Sequence, residues 1–310
     1  MKKILEAILD NNSFNNKPIV LLHVGSNGSE FVNWNKISKS SILVAVDPEK
    51  QSFNLGNFKK IIKVSNIISD RKGLTKFNVT KNTDCSSLLI PNSKVYSSWL
   101  IANRFRIKKR LKVKTVTING LLKKNDLNYI DWLVLDTQGM DLRILKSISK
   151  KIFKNISIVD VEPSYFEFYK NEGTLVDIIN FLNKQFDFKD ISFGKNFKVR
   201  NEQLTYFDKL ILKKFNKPSK IYSNLIYINK RQNEERKVMM KLIYLILNQQ
   251  FYEAKSILDK NSKISNRKVV IKNLNKKIIY YKFIFILLLP YFMIKKFFLN
   301  SIVFLFKKFV

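Results

Sequence analysis

The chain has 310 residues, 45% hydrophobic and 13% aromatic, long enough to bury a full core and too apolar for a disordered chain. One cysteine, Cys85, excludes an intramolecular disulfide framework and any cysteine-rich zinc cluster, and one histidine, His23, excludes sites that need two histidine ligands. The formal net charge is +33, but lysine greatly outnumbers arginine, whose planar fork suits phosphates and base edges, so the excess reads as compositional bias and nucleic acid is not the expected partner.

Residues 1–213 carry 36 basic and 20 acidic groups, while residues 214–310 carry 21 and 4, so the chain changes character near residue 215. In the first part, short apolar runs alternate with helical spacing, which predicts an α/β fold with a mostly parallel sheet. Ile19–Val24 (IVLLHV) is a continuous apolar run ending in Gly25-Ser26-Asn27-Gly28, a buried strand feeding a tight turn. Ile42–Asp47 is a second strand, closed by Pro48, and Ile61–Val64 a third. Leu74–Val79 reads as a hairpin-like addition. Residues 81–112, with a basic run from Arg104 to Lys114, read as a substrate-side excursion. Thr117–Lys124 is a short helix, and Asp131–Asp136 a fourth strand that turns at Thr137-Gln138-Gly139. Helical spacing at Leu142, Ile144, Leu145 and Ile148 follows. Ile156–Val161 is a fifth strand ending at Glu162-Pro163, and Leu175, Ile178, Ile179 and Leu182 line one face of the next helix. Phe186–Phe193 and Phe207–Lys213 are expected to close the sheet as an antiparallel pair.

The expected domains are therefore a catalytic domain over 1–215, a linker over 216–233, a helical hairpin over 234–275 and a hydrophobic, basic tail over 276–310. Glu234–Leu247 and Phe251–Leu258 carry helical patterns broken at Asn248-Gln249-Gln250. In the tail, Phe283–Ile294 gives 12 apolar residues before Lys295-Lys296, fewer than the about 20 that a spanning helix needs. The tail is expected to lie on an anionic membrane surface, with its lysines reaching the headgroups. The lone cysteine fits a reducing compartment, and Glu6 and Asp10 interrupt the first apolar stretch, against a secretory signal. The expected location is cytoplasmic, peripheral at the inner face of the cell membrane.

The chemistry is expected at the carboxyl edge of the sheet. Gly25 ends the first strand and Asp47 ends the second, 22 residues on. In a doubly wound sheet both reach the topological switch point, where ligands bind, and an acid there can accept both hydroxyls of a ribose. Asp136 and Glu162 end the fourth and fifth strands and would face the same crevice. The structural alternative for Asp136 is a cap on the helix after Gly139. For His23, at the end of a buried strand, it is a packed core residue.

The series HVGSNGSEF, VAVDP, YIDWLVLDTQGMDLRILKS and VDVEPSYFEFY resembles the motifs of the FkbM-like S-adenosylmethionine-dependent methyltransferases over about residues 18–215. Asp136, Gln138, Gly139, Asp141 and Leu145 match the most specific stretch. The resemblance implies the class I methyltransferase fold, a seven-stranded Rossmann-like sheet with helices on both faces. It implies O-methylation of a hydroxyl on a sugar, glycan or related metabolite. It further implies that Gly25, Ser26, Asn27 and Gly28 cradle the methionine part of S-adenosyl-L-methionine, with His23 beside them, and that Asp47 holds its ribose. Asp136 is the first candidate for the base that takes the acceptor's proton, and Glu162 the second. No metal is expected. His23 stands where the motif usually opens with an acid, and Ser29 stands where a second glycine is expected. These departures favour the alternative, a non-catalytic membrane-surface scaffold with a degenerate methyltransferase fold. A third reading, an RNA methyltransferase, would use the basic surface.

Overall fold

The computed structural model of the chain describes residues 1–10, 12–25, 31–48, 56–196, 219–230, 234–262, 264 and 266–284. The chain divides into two compact units, residues 13–241 and residues 1–12 with 242–310.

Among the described residues the larger unit holds ten strands: β1 (Ile19–Val24), β2 (Ser41–Val46), β3 (Lys60–Val64), β4 (Ile67–Ile68), β5 (Gly73–Thr80), β6 (Ile107–Val116), β7 (Trp132–Leu135), β8 (Ile158–Val161), β9 (Phe186–Asn196) and β10 (Ser219–Asn229). Seven form one sheet in the order β3-β2-β1-β7-β8-β10-β9, and three form a second in the order β4-β6-β5. In the large sheet β1, β2, β3, β7 and β8 are mutually parallel, and β10 runs antiparallel between β8 and β9. The α/β architecture with a mostly parallel seven-stranded sheet is therefore as the sequence predicts.

β1 is central because both its faces are apolar. All six of its residues are buried, the pattern of a parallel strand covered on both sides. Val20, Leu22 and Val24 join the main core with Val44, Val46, Leu133 and Leu135. The helices after β7 and β8, Asp141–Ser147 and Leu175–Leu182, bury Leu142, Ile144, Leu145, Ile178 and Leu182. A capping box between Thr174 and Asp177 starts the second of these.

Among the described residues the antiparallel partner of Phe186–Asn196 is β10, and the expected partner, Phe207–Lys213, lies outside the described residues. One expectation needs correction. β10 falls inside the stretch 216–233 expected as a linker, so the sheet extends past residue 215. Its sequence, SKIYSNLIYIN, mixes polar residues with the apolar ones and follows the change in charge. Its pairing with β8 buries Leu225, Tyr227 and Ile228.

The amino ends of β1 and β7 are tied by a buried ion pair. Asp131, 2% exposed, accepts the backbone N–H of Val20 at 2.9 Å. Arg236 lays both arms of its guanidinium on the same carboxylate, Nε at 2.8 Å and Nη2 at 2.7 Å. It also donates to the carbonyls of Lys17 and Pro18 and sits over the rings of Phe14 and Tyr129.

The described residues of the second unit are mostly helical. Lys2–Leu9 buries Ile4, Leu5 and Ile8, and Phe251–Lys260 buries Phe251, Ala254, Ile257 and Leu258. Residues 267–284 are helical. Asn266 donates from its side chain to the carbonyls of Ala7 and Asp10, satisfying the end of the first helix. The amino-terminal segment, expected in the catalytic domain, belongs to this unit. The break at Asn248-Gln249-Gln250 is present, with Gln249 at φ +59°. The expected boundary at residue 276 falls inside the helix of residues 267–284, and residues 285–310 lie outside the described residues. Among the described residues no helix is long and apolar enough to cross a membrane.

Truncating one partner of a buried pair leaves the other charge uncompensated. Arg236→Ala is expected to destabilise the protein by about 3–5 kcal/mol. Lys255→Ala, which removes an exposed pair with Asp259, should cost less than about 1 kcal/mol. Urea denaturation of the three proteins measures the difference.

Candidate functional site

The register of the parallel strands decides what meets at the carboxyl edge. Val64, Val46, Val24, Leu135 and Val161 pair in one row across β3, β2, β1, β7 and β8. The next residues on the last four of these strands are Asp47, Gly25, Asp136 and Glu162. Adjacent strands lie about 4.8 Å apart, so these four stand side by side. The ladder continues one bond further: Asp47 N donates to Val64 O at 3.0 Å, Gly25 N to Val46 O at 2.9 Å, and Asp136 N to Val24 O at 3.0 Å.

Gly25 is required by this closeness. Its φ is +81°, and a Cβ there would stand 1.9 Å from the carbonyl oxygen of Asp136. Any side chain would push β1 and β7 apart at the edge.

Above the edge lies a cavity of about 450 Å³, a volume in the range of small-molecule sites. The large sheet contributes Gly25, Asp47 and Asp136, with Thr137, Gln138 and Met140 beyond β7. The opposite wall is the small sheet, with Phe77, Val79, Leu111 and Val113 presenting apolar surface and Lys81, Lys108 and Lys109 presenting charge. Asp84, 3.8 Å from Arg104, also lines it.

The turn after β7 is held from several sides. Gln138 is left-handed at φ +51° and Gly139 at +94°. Gln138 donates from Nε2 to Asp136 Oδ1 at 2.6 Å, fixing the direction of that carboxylate. The Ser87 hydroxyl donates to the Gln138 carbonyl at 2.7 Å. The Tyr169 hydroxyl reaches Gln138 Oε1 at 3.0 Å and the Cys85 carbonyl at 2.8 Å. Tyr169 is 2% exposed, and burial raises its hydroxyl well above the ordinary range, so it stays a neutral donor. The Cys85 thiol is also buried and is pushed up to about 11, which makes it a poor nucleophile.

Beneath the turn are two buried carboxyl groups that the sequence did not single out as acids with shifted titration. Asp141 accepts the backbone N–H and the hydroxyl of Thr137, and burial raises it to about 7 against those hydrogen bonds. Glu172 accepts the Tyr169 N–H at 3.2 Å, and burial raises it to about 8.

Of the predicted site residues, Gly25, Asp47 and Asp136 meet in the cavity wall. Glu162 stands beside Asp136 at the end of β8, half-buried and outside that wall. His23 is 1% exposed, with its ring 6.1 Å from that of Trp34, and it is not among the residues that line the cavity. The alternation along β1 puts it on the face opposite Val24. Ser26, Asn27 and Gly28 lie outside the described residues. Asp136 does not cap the following helix, whose N-cap is Met140. The Leu74–Val79 addition is strand β5, paired with β6 rather than folded into a local hairpin. Phe168 and Tyr169 are core residues, packed with Trp99 and Phe105. No group of three or more His, Cys, Asp or Glu among the described residues is placed to hold a metal ion.

Residues 20–189 match the family model described as Methyltransferase FkbM domain, from β1 into β9. Neither a curated protein nor a solved structure matches the chain.

The two buried carboxyls set a pH dependence. Exposed carboxyls in the unfolded chain titrate near 4, so between about 4 and 8 the folded protein binds more protons. Stability is then greatest at the acidic end of that window and falls as pH rises through about 7 and 8. Glu172→Gln removes one of the two contributions. It should raise the melting temperature relative to the parent above about pH 8, with little gain near pH 5.

Proposed function

Because the chain belongs to the FkbM methyltransferase family, we propose that it transfers a methyl group from S-adenosyl-L-methionine to a hydroxyl of a sugar, glycan or related metabolite. The observation that carries this reading is the single row of Gly25, Asp47 and Asp136 in the wall of one cavity. The residues present suit the donor. Asp47 would accept the two ribose hydroxyls, Ile67 and Ile68 would lie against the base, and Gly25 leaves room for close approach. When bound, S-adenosylmethionine supplies a methyl group already activated on a positively charged sulfur.

The protein's own contribution is then alignment and proton removal. Orientation of two reactants can contribute about 7–11 kcal/mol, and a positioned base about 10²–10⁴-fold in rate. Asp136 takes the proton from the acceptor hydroxyl. Gln138 orients it, and Tyr169 and Ser87 hold Gln138. Glu162 stands one strand away from this exchange and outside the cavity wall, so Asp136 is the base in this reading.

Asp47→Ala is expected to weaken S-adenosylmethionine binding in calorimetric titration. Asp136→Ala should leave that binding within about threefold and lower methyl transfer by about 10²–10⁴-fold. Absence of binding by the parent protein would favour the scaffold reading.

The proposed place of action is an anionic membrane surface. On the helix of residues 267–284, Ile279, Tyr280 and Phe283 are 65%, 52% and 58% exposed, interspersed with Lys276, Lys277 and Lys282. The sequence that follows, residues 285–310, is apolar with four lysines. Apolar side chains beside lysines suit the headgroup boundary of an anionic bilayer. The protein should sediment with vesicles rich in anionic lipid and not with neutral ones. Ile279→Asp with Phe283→Asp should weaken that attachment.

A further inference from the structure

The wall of the cavity facing the carboxylates has a use that methyl transfer to a neutral sugar does not explain. Along a regular strand successive side chains alternate faces, so β6 should send only every second residue into the cavity. Lys109, Leu111 and Val113 follow that rule, opposite Val79, Phe77 and Thr75 of β5. At the end of the pair the register slips: Val79 pairs with Lys109, but Thr80 pairs with Ile107. Lys108 is the extra residue of this bulge. It lines the cavity together with its neighbour Lys109.

The bulge is fastened in place. The backbone N–H of Thr80 donates to the Ser86 hydroxyl at 3.2 Å, and that of Lys81 donates to the Arg106 carbonyl at 2.8 Å. Lys81 thereby joins Lys108 and Lys109 in the lining of one cavity. None of these three ammonium groups has an ion pair or side-chain hydrogen bond among the described residues. The cavity thus carries Asp47 and Asp136 on the side of the large sheet and three cations on the side of the small one, and like charges repel one another unless an anion lies between them.

We propose that Lys81, Lys108 and Lys109 form an anion subsite, and that the acceptor is a phosphate- or diphosphate-bearing sugar whose charged group docks there while its hydroxyl reaches Asp136. The identity of this molecule as an acceptor rests on the methyltransferase reading, whereas the anion contact is measurable without it. The phosphate can come from a soluble nucleotide sugar or from a lipid-linked sugar, and both present the same chemistry to the lysines.

The test is titration of the full chain at an ionic strength of about 0.15 M, with inorganic pyrophosphate as the probe. The parent protein should bind pyrophosphate, and Lys108→Gln with Lys109→Gln should weaken it at least about tenfold, as expected for lost charge-assisted bonds. Lys112→Gln with Lys114→Gln removes the same charge from the opposite face of the same sheet and should change it less than about twofold. Competition by uridine diphosphate glucose, or by neutral vesicles carrying a polyprenyl diphosphate, identifies the source, and either supports the subsite. No pyrophosphate binding by the parent, or equal weakening by both double variants, overturns it. A separate titration with S-adenosylmethionine keeps the two readings apart. Donor binding without pyrophosphate binding removes the subsite alone, and the reverse removes the methyltransferase reading while the subsite stands.

Discussion

The cavity floor depends on how closely two main chains approach. The carbonyl of Asp136 occupies the space where residue 25 would carry a side chain, so β1 and β7 can stay in register past their last paired residues only with glycine there. That contact sets Asp136 next to Gly25 and Asp47, and the turn that follows inherits its position. With Thr137, Gln138 and Gly139 leaving the strand from a fixed point, Gln138 must adopt a left-handed backbone to send its side chain back to Asp136. A left-handed non-glycine residue has a cost, of order 1–3 kcal/mol, and persists only where its surroundings over-determine it. Ser87 and Tyr169 supply that constraint from two other segments of the chain.

What the sequence made legible follows from burial. IVLLHV, ILVAVD and DWLVLD are continuous apolar runs closed by glycine or an acid, the signature of parallel strands covered on both faces, and each is a strand at the centre of the sheet. Because parallel strands share one carboxyl edge, the sequence alone brings their terminal residues together. The misreadings have equally physical origins. β10 is antiparallel and interleaves polar residues with apolar ones, so it lacks that signature. β5 and β6 are half-exposed and rich in lysine, and they pair across 26 intervening residues, a separation that no local pattern reports. His23 stands next to the turn in the chain, while the two-residue period of the strand turns its ring toward Trp34.

The bulge at Lys108 belongs to the same class of invisible features. Nothing in IKKRLKVKTV distinguishes a strand with strict alternation from one with an extra residue, since lysine is acceptable on either face of an exposed sheet. The slip is set instead by what the partner strand does at Thr80, whose N–H turns away to the Ser86 hydroxyl. Which lysines reach the cavity thus depends on a hydrogen bond made at the end of the neighbouring strand. The resemblance to a family could name the edge of the sheet, but not this wall.

Charge in this chain is informative chiefly where it is rare. Lysine is tolerated almost anywhere on the surface, because its long apolar stem packs while its ammonium stays in water. Carboxylates number 24 against 57 basic groups, and several of them occupy positions where their short, acceptor-only side chains do something a lysine cannot. Asp131 receives an amide and a guanidinium at once, Asp177 closes a capping box, and Asp141 and Glu172 accept backbone N–H groups from inside the core. Asp47, Asp136 and Glu162 follow the ends of three of the four neighbouring strands β2, β1, β7 and β8. A background biased toward lysine therefore makes each acid at a strand end a sharper signal than it would be in a balanced sequence. It also places opposite charges on facing walls of one cavity, acids on the large sheet and cations on the small one. A ligand that offers hydroxyls at one end and a negative group at the other satisfies both walls, and neither a neutral sugar nor a simple anion does so alone.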